Sequence, residues 1–457
     1  MRQFLIALAI LCIAVPARAG DARTAAALRD RALADPVAWN VLESLTTEIG
    51  PRMVGSPAAE RAKDWALAKL KSLGFTNVHA EAFAKPSWAR GEESAEVTAP
   101  FPQKLAVIGL GGSVPTPPQG IEAPIVVFTS YDAMLLARPG AFKGRIVVVD
   151  QPMTRTQDGS GYGAAVVARS GASQAAKRGA LAYLVRSIST GNSRAPHTGV
   201  GKYEAGLPRI PMAALGVPDA DLLEHMAARG PVRVRLKLAS YVRPDSMAWN
   251  VSGDIRGSAK PDQVIVFGGH LDSWDPGTGA IDDGAGVAIT TAAAWRVGQL
   301  PRHPARTLRV VLWGSEESEG SSDAYLAAHK NELAKIVAAG ESDLGADRVW
   351  RVKLPPGALE QPSVKPLAEV LAPLRVFVSP EAAKQAGSDV EGIQGAGVPV
   401  FSVSQDATRY FDIHHSADDT LAVVDREQLN QNVAVWAALL YLIADSGVDF
   451  RTIKPAK

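Results

Sequence analysis

At 457 residues, 47% hydrophobic and 21% charged with a formal net charge of +1, the chain has the balance of a globular protein of roughly two or three domains. No basic excess points to nucleic acid or to an anionic membrane surface, and neither is expected as a partner. The one cysteine, Cys12, excludes an intrachain disulfide, so the core must hold the fold unaided.

Residues 1–19 read as a targeting segment. Arg2 supplies a positive start, Phe4 to Val15 an apolar core too short to span a bilayer, and Ala17-Arg18-Ala19 a small-x-small cleavage pattern. A lipoprotein reading of Cys12 fits poorly, because bulky Leu11 precedes it. Cleavage near Ala19 would remove Cys12 and two positive charges, Arg2 and Arg18, taking the net charge from +1 to −1. The expected location is therefore secreted or periplasmic.

The stretch "GSPAAERAKDWALAKLKSLGF" predicts a helix, with Ser56 as its N-cap, Pro57 in its first turn and a stripe of Ala62, Trp65, Ala66, Leu70 and Leu73. "TNVHAEAF" then alternates as a strand does. From Gln103 the texture changes at a Pro/Gly-rich boundary, "GGSVPTPPQG". Short strands follow, "APIVVF", "GRIVVVD" and "LAYLVRS", with small helices such as "PDADLLEHMAA". Residues 104–241 read as an inserted β-rich domain without a ligand-like cluster of His, Asp and Glu.

Longer units resume after Tyr241. "AWNVSGDI", "DQVIVFGGHLD", "TLRVVLWGSEE" and "KIVAAGESD" are strand candidates, separated by helical stretches 284–298 and 322–335. The last helix, "REQLNQNVAVWAALLYLIAD", is interrupted by Gln431 and Asn432 and reads as a core helix. Strands alternating with helices imply an α/β sheet covered on both faces. The expected division is 1–19 signal peptide, 20–103 and 242–457 catalytic domain, and 104–241 insert.

Three of these strands end in chemistry: His270 and Asp272, Glu316 and Glu317, and Asp343. In open α/β sheets, ligands collect beyond the carboxyl ends of the strands. "GTGAIDDGAG" adds Asp282 and Asp283 in a turn opening a helix, and "FDIHHSADDT" adds His414 and His415 in a loop. Imidazole and carboxylate donors without thiolate suit Zn²⁺ or a similar ion. A phosphate loop is excluded, because "AIDDGAG" has acids where such a loop needs Lys and backbone donors. Neighbours on extended backbone face opposite sides, so Glu316 and Glu317 are expected to do different work. Singly, His270 reads as a core histidine, Asp282 as a helix cap and His415 as a loop residue; their joint placement at strand ends is harder to explain that way.

The residues "GGHLDSWDPGTGAIDDGAG", "LWGSEE", "ESD", "GSDVEGI" and "HHSADDT", in that order, resemble the co-catalytic zinc exopeptidases of the aminopeptidase Y and glutamate carboxypeptidase family. The resemblance implies a mixed-sheet α/β/α sandwich, an insert like a protease-associated domain, two Zn²⁺ per chain, a small peptide substrate and a homodimer. It also implies roles. Asp282 would bridge two ions, with His270 and Asp343 completing one site and Glu317 and His415 the other. Asp272 would hold the His270 imidazole in its ligating tautomer, and Glu316 would be the general base acting on water held between the ions. His414, just before the last ligand, would either stabilise the tetrahedral intermediate or pack under its loop. The family usually has glycine where Glu319 stands. Dipeptides and short peptides are the implied substrates. A broader aminopeptidase on longer peptides is the enzyme alternative, and a catalytically silent receptor-like or scaffold relative the alternative of another class. The latter would be expected to have lost ligands, and a single-zinc cyclase would not need the aspartate of "DDG".

Overall fold

The computed structural model describes residues 21–453, so the expected targeting segment and Cys12 lie outside the described residues. The main sheet runs Thr76–Ala84, Met247–Ile255, Arg306–Trp313, Lys260–His270, Ile336–Glu341 in spatial order. Its first two pairings are antiparallel and the next two parallel. Beyond Ile336–Glu341, residues 399–401 pair with Ala339 in parallel. The same segment continues as Ser402–Gln405, antiparallel to Val349–Lys353, which pairs in parallel with Phe377–Val378. The result is one mixed sheet with helices on both faces, the mixed α/β architecture expected from the sequence.

The pleat sorts the side chains. Ile265, Phe267, Leu308, Val310 and Leu312 enter one core with the helices Ala285–Gly298 and Arg426–Asp445. Val264, Val266, Val311 and Trp313 enter a second core on the opposite face, against Tyr325 and Ile393. The predicted cap of the early helix forms: the Ala59 N–H donates to Ser56 Oγ, and Ala62, Ala66 and Leu70 are buried over Pro57–Ser72. In the last helix, Gln431 and Asn432 are buried rather than wetted. Gln431 exchanges two hydrogen bonds with the backbone of Val349, and the Asn432 amide donates to the carbonyls of Ala346 and Asp347. Their polarity satisfies backbone groups at and just before the start of the strand Val349–Lys353. No helix among the described residues is long and apolar enough to cross a membrane. The helix expected over 322–335 is shorter, Ser321–His329. His329 is held by Glu81 of the edge strand, and the chain then turns through Leu333–Lys335 to enter the sheet at Ile336.

The chain between Ala84 and Met247 forms a second sheet of eight strands. Its inner strands Ile121–Phe128, Ile146–Val149, Ala182–Arg186 and Met212–Leu215 are parallel. Parallel neighbours need crossovers, which brings in short helices at Tyr131–Leu135 and Ala172–Lys177, while Val217–Ala227 carries the chain from Met212–Leu215 to the antiparallel strand Arg233–Leu238. This unit is therefore α/β in texture. It also includes Glu93–Ala99, which pairs with Arg233–Leu238, so its hydrogen bonding begins before residue 104. "ESAEVTA" does alternate, with Ala95 and Val97 buried, but alternation marks a strand and not the sheet it joins.

Polar contacts fasten this unit to the loop that carries the two histidines. Arg155 and Thr190 both reach the Asp412 carboxylate at 2.7 Å, Ser189 Oγ donates to the Phe411 carbonyl at 2.9 Å, and Arg90 pairs with Asp275 at 2.7 Å. The unit is thereby held over the carboxyl edge of the main sheet.

Candidate metal centre

Three neighbouring parallel strands end together and deliver His270, the Glu316–Glu317 pair and Asp343 to one edge. Gly269, next to His270, has no room for a side chain, because a Cβ there would stand 2.3 Å from the Asp283 carboxylate and 2.7 Å from the helix backbone at Gly286. That close approach lets Asp283 accept the backbone N–H groups of His270 and Gly286, each at 2.9 Å. Asp283 thus ties the strand end to the start of the helix Ala285–Gly298. Asp282, beside it, points the other way.

The Asp282 carboxylate lies between two histidines. Oδ1 is 3.1 Å from His270 Nε2, and Oδ2 is 3.0 Å from His415 Nε2. Asp343 Oδ1 lies 3.5 Å from His270 Nε2, and Glu317 Oε2 lies 3.0 Å from His415 Nε2. Four ligands at about 2.0–2.2 Å from a tetrahedral ion stand roughly 3.3–3.6 Å apart, so these spacings suit ligands that share an ion. Asp282 Oδ2, Glu317 Oε1 and Asp343 Oδ1 are buried without a hydrogen-bond partner. Buried carboxylate oxygens without donors are costly, and divalent cations on the two sides of Asp282 would satisfy all three. The donor set therefore fits zinc on each side of Asp282.

The electrostatics agree. Within this cluster the acids and imidazoles lie close enough to neutralise one another. Burial opposes a charged His270, but Asp343 and Asp282 outweigh it and raise its pKa well above the usual imidazole range. His415 is raised likewise by Glu317 and Asp282 against the same burial penalty. Burial pushes Glu317 and Asp343 upward, while Asp282, between the imidazoles, is held well below the usual carboxylate range despite its burial.

His415 adopts a left-handed backbone, φ 61°, rare for a side-chain-bearing residue. Its Nδ1 faces the Thr198 carbonyl of the second unit at 3.3 Å, leaving Nε2 for a metal, and the Thr198 N–H donates to the His415 carbonyl at 3.0 Å. His414 stacks on His415 with ring centroids 3.5 Å apart, and its Nε2 is 3.5 Å from Asp282 Oδ2. Burial and the neighbouring His415 hold its pKa well below normal, so it stays neutral.

Asp272 differs from the expectation. Its backbone carbonyl, at 2.9 Å, receives His270 Nδ1–H, while its carboxylate oxygen stands 3.7 Å away. That carboxylate instead accepts the Glu316 N–H at 3.0 Å, because the two strand ends lie side by side. Burial raises Asp272 to about 6. The Glu316 carboxylate stays outside both ligand sets and accepts from Ser388 Oγ at 2.6 Å. Glu319 sits at φ 60°, a left-handed position that glycine favours, and its side chain pairs with Lys202 of the second unit across the cleft.

Several residues at the site escaped the sequence reading. Asp419, inside the quoted "HHSADDT", accepts the N–H groups of Ala280 and Ile281 at 2.8 and 2.7 Å and so fixes the turn before Asp282. Arg52, fully buried, donates to the carbonyls of Leu271, Thr278 and Gly279 behind it. Tyr162, Arg169 and Val200 of the second unit line the same cavity as Asp282, Glu316, Asp343 and His415. Only Asp419 had a local signal; the others arrive from distant parts of the chain.

Comparisons with known proteins point one way. Residues 250–440 match the sequence profile of peptidase family M28. Carboxypeptidase Q of Bos taurus is 40% identical over 407 residues, covering 88% of this chain and 84% of that protein, and carboxypeptidase Q of Homo sapiens is 38% identical over the same shares. A solved peptidase M28 precursor from Shewanella amazonensis superposes with a TM-score of 0.92 at 41% identity, covering 95% of this chain and 99% of its own. A zinc aminopeptidase from Bacillus subtilis, 19% identical, shares the fold at a TM-score of 0.62 over 88% of this chain and 94% of its own.

Proposed function

This chain belongs to peptidase family M28 and is a zinc-dependent metallopeptidase, and from that premise we propose that it is an exopeptidase of dipeptides and very short peptides working with two zinc ions per chain. The observation that carries this reading is Asp282, which offers one carboxylate oxygen to the neighbourhood of each histidine. His270, Asp282 and Asp343 would hold one ion, and Asp282, Glu317 and His415 the other. Bound zinc supplies Lewis acidity for the peptide carbonyl and for the attacking water.

The remaining chemistry belongs to the chain. Glu316 is held at its backbone by Asp272 and at its carboxylate by Ser388, free of the ligand sets. It takes the proton of the attacking water and delivers it to the leaving amine. Glu317, engaged with His415 in the ligand set, is not free for that task. The neutral His414 donates an N–H toward the developing oxyanion, a contact typically worth about 3 kcal/mol in the transition state. The second unit walls the cleft with Tyr162, Arg169 and Val200, which favours short substrates. Export with cleavage near Ala19 and assembly as a homodimer belong to the same reading.

Metal analysis and a peptide ladder test it together. Protein purified without chelator should hold close to two zinc ions per chain, Asp282→Asn should lose at least one, and free dipeptides should be cleaved faster than longer peptides. One ion per chain in the fully active protein would refute the two-ion reading. Equal rates along the ladder would favour a broader aminopeptidase.

A further inference from the structure

The two histidines of the metal centre are oriented from different places. His270 Nδ1–H donates to the carbonyl of Asp272, two residues further along the same segment. His415 is oriented from outside its own unit. Its Nδ1 faces the Thr198 carbonyl of the second unit at 3.3 Å, and the Thr198 N–H returns a hydrogen bond to the His415 carbonyl at 3.0 Å. A Cβ on Gly199 would stand 2.9 Å from His415 Nδ1, so the chain at 198–199 runs directly against the edge of the imidazole. One ligand is held within the main unit, the other across the boundary between the units.

Thr198 is itself fixed. It is fully buried, and its Oγ1 donates to the Gly109 carbonyl at 2.9 Å and accepts from Arg90 Nη2 at 3.1 Å. Arg90 lies on the crossing between the units, and all three of its guanidinium nitrogens are engaged. Nε and Nη2 form a fork to the Asp275 carboxylate at 2.7 and 3.1 Å, while Nη1 donates to Glu93 at 2.9 Å and to the Gly109 carbonyl at 2.7 Å. Such a fork fixes direction as well as charge, which an ammonium cannot do. Asp275 belongs to the loop after His270, Glu93 and Gly109 to the second sheet. One side chain thus ties both units to the residue behind His415. Arg155 and Thr190 grip the same loop further back, at Asp412.

We propose that Arg90, acting through Thr198, is a positioning residue for His415, so that the affinity of the Glu317–His415 ion depends on the second unit while that of the His270–Asp343 ion does not. This rests on the two-zinc reading above. An imidazole serves a metal well only when its free nitrogen points along the bond, and the hydrogen bond made by the other nitrogen sets tautomer and ring angle. His415 also holds a left-handed backbone, which persists only where its surroundings impose it. Without the hold of Thr198, that backbone can relax and the ring can turn away from Asp282 and Glu317. His270 keeps its own supports, the Asp272 carbonyl on its ring and Asp283 on its backbone N–H, both in the main unit.

The test measures zinc affinity by competition with a chelator, in full-length protein carrying one site at a time. Asp343→Asn keeps the Glu317–His415 site, and Glu317→Gln keeps the His270–Asp343 site. Adding Thr198→Val, which removes the hydroxyl and leaves every charge paired, should weaken zinc about 10-fold or more in the first background and less than about twofold in the second. Arg90→Met should weaken the first site further, toward about 100-fold, and Arg90→Lys, which keeps the charge and loses the fork, should fall between. Equal weakening of both sites would mark a general loss of stability, and no weakening at either would show that the second unit does not orient His415. Each of those results overturns the proposal, and the Thr198→Val comparison gives them whether or not Arg90→Met folds. Wild type that bound a single zinc would instead remove the two-ion reading, and the proposal with it.

Discussion

Chelating the metal should reverse the usual dependence of stability on pH. A carboxyl that titrates higher in the folded chain than in the unfolded chain keeps its proton longer when folded. Its stabilising share is complete below the unfolded pKa and is lost as pH rises through the folded value. Burial raises Asp272 from 3.8 to about 6 and Asp419 from 3.8 to about 7. At about 1.4 kcal/mol per pH unit, Asp272 alone would cost the chelated protein about 3 kcal/mol and Asp419 about 4 kcal/mol between pH 4 and pH 7.5. His270 and His415, raised above the usual imidazole range, act in the same direction as pH climbs further. Asp282, held low, acts oppositely, but its share is lost only as pH falls below about 4; His414 and His197, held neutral by burial, also act oppositely as pH falls below about 6.5, and the raised carboxyls and imidazoles outnumber them. Even if the two carboxyls are not additive, a loss of about 3 kcal/mol is a large part of a typical domain's 5–15 kcal/mol. Zinc, by favouring the ionised carboxylates, should restore the loss, so its stabilising increment should grow with pH. Urea unfolding of chelated and zinc-loaded protein, followed by circular dichroism between pH 4.5 and 8, measures both. A chelated protein as stable at pH 8 as at pH 5, or a zinc increment independent of pH, would refute the reasoning.

The paired glutamates should separate in a single experiment. Glu316→Gln should keep its zinc and lose about 10²–10⁴-fold in kcat, the usual contribution of a general base, whereas Glu317→Gln should lose zinc in the same metal assay. Equal metal loss in both would contradict the division of labour. His414→Ala should leave zinc content alone and lower kcat by about 100-fold while KM moves little; an ordinary kcat would make His414 a packing residue. Arg155→Ala removes two hydrogen bonds to Asp412 and loosens the second unit over the cleft. Cleavage of long unstructured peptides should then rise relative to dipeptides, and an unchanged ratio would mean that this unit does not limit substrate length.

What the sequence determined by itself was local, or was carried by motifs. Period-2 and helical patterns located most of the main-sheet strands, Ser56 announced its helix, and acids and histidines at strand ends marked the edge where chemistry collects. Those signals survive in one dimension because cap, turn and side-chain alternation depend on residues only a few positions apart. Tertiary structure decided the rest. Whether the carbonyl or the carboxylate of Asp272 meets the His270 ring depends on differences below 1 Å between adjacent strand ends, which no spacing encodes. Glu93–Ala99 joins the second sheet through a pairing with Arg233–Leu238, far along the chain. Thr198 and Arg169 reach His415 only because that sheet is fastened over the catalytic loop. A guanidinium's partners, unlike a helix cap, are set by what the completed fold brings within hydrogen-bond reach, and Arg90 in sequence looks like any other arginine.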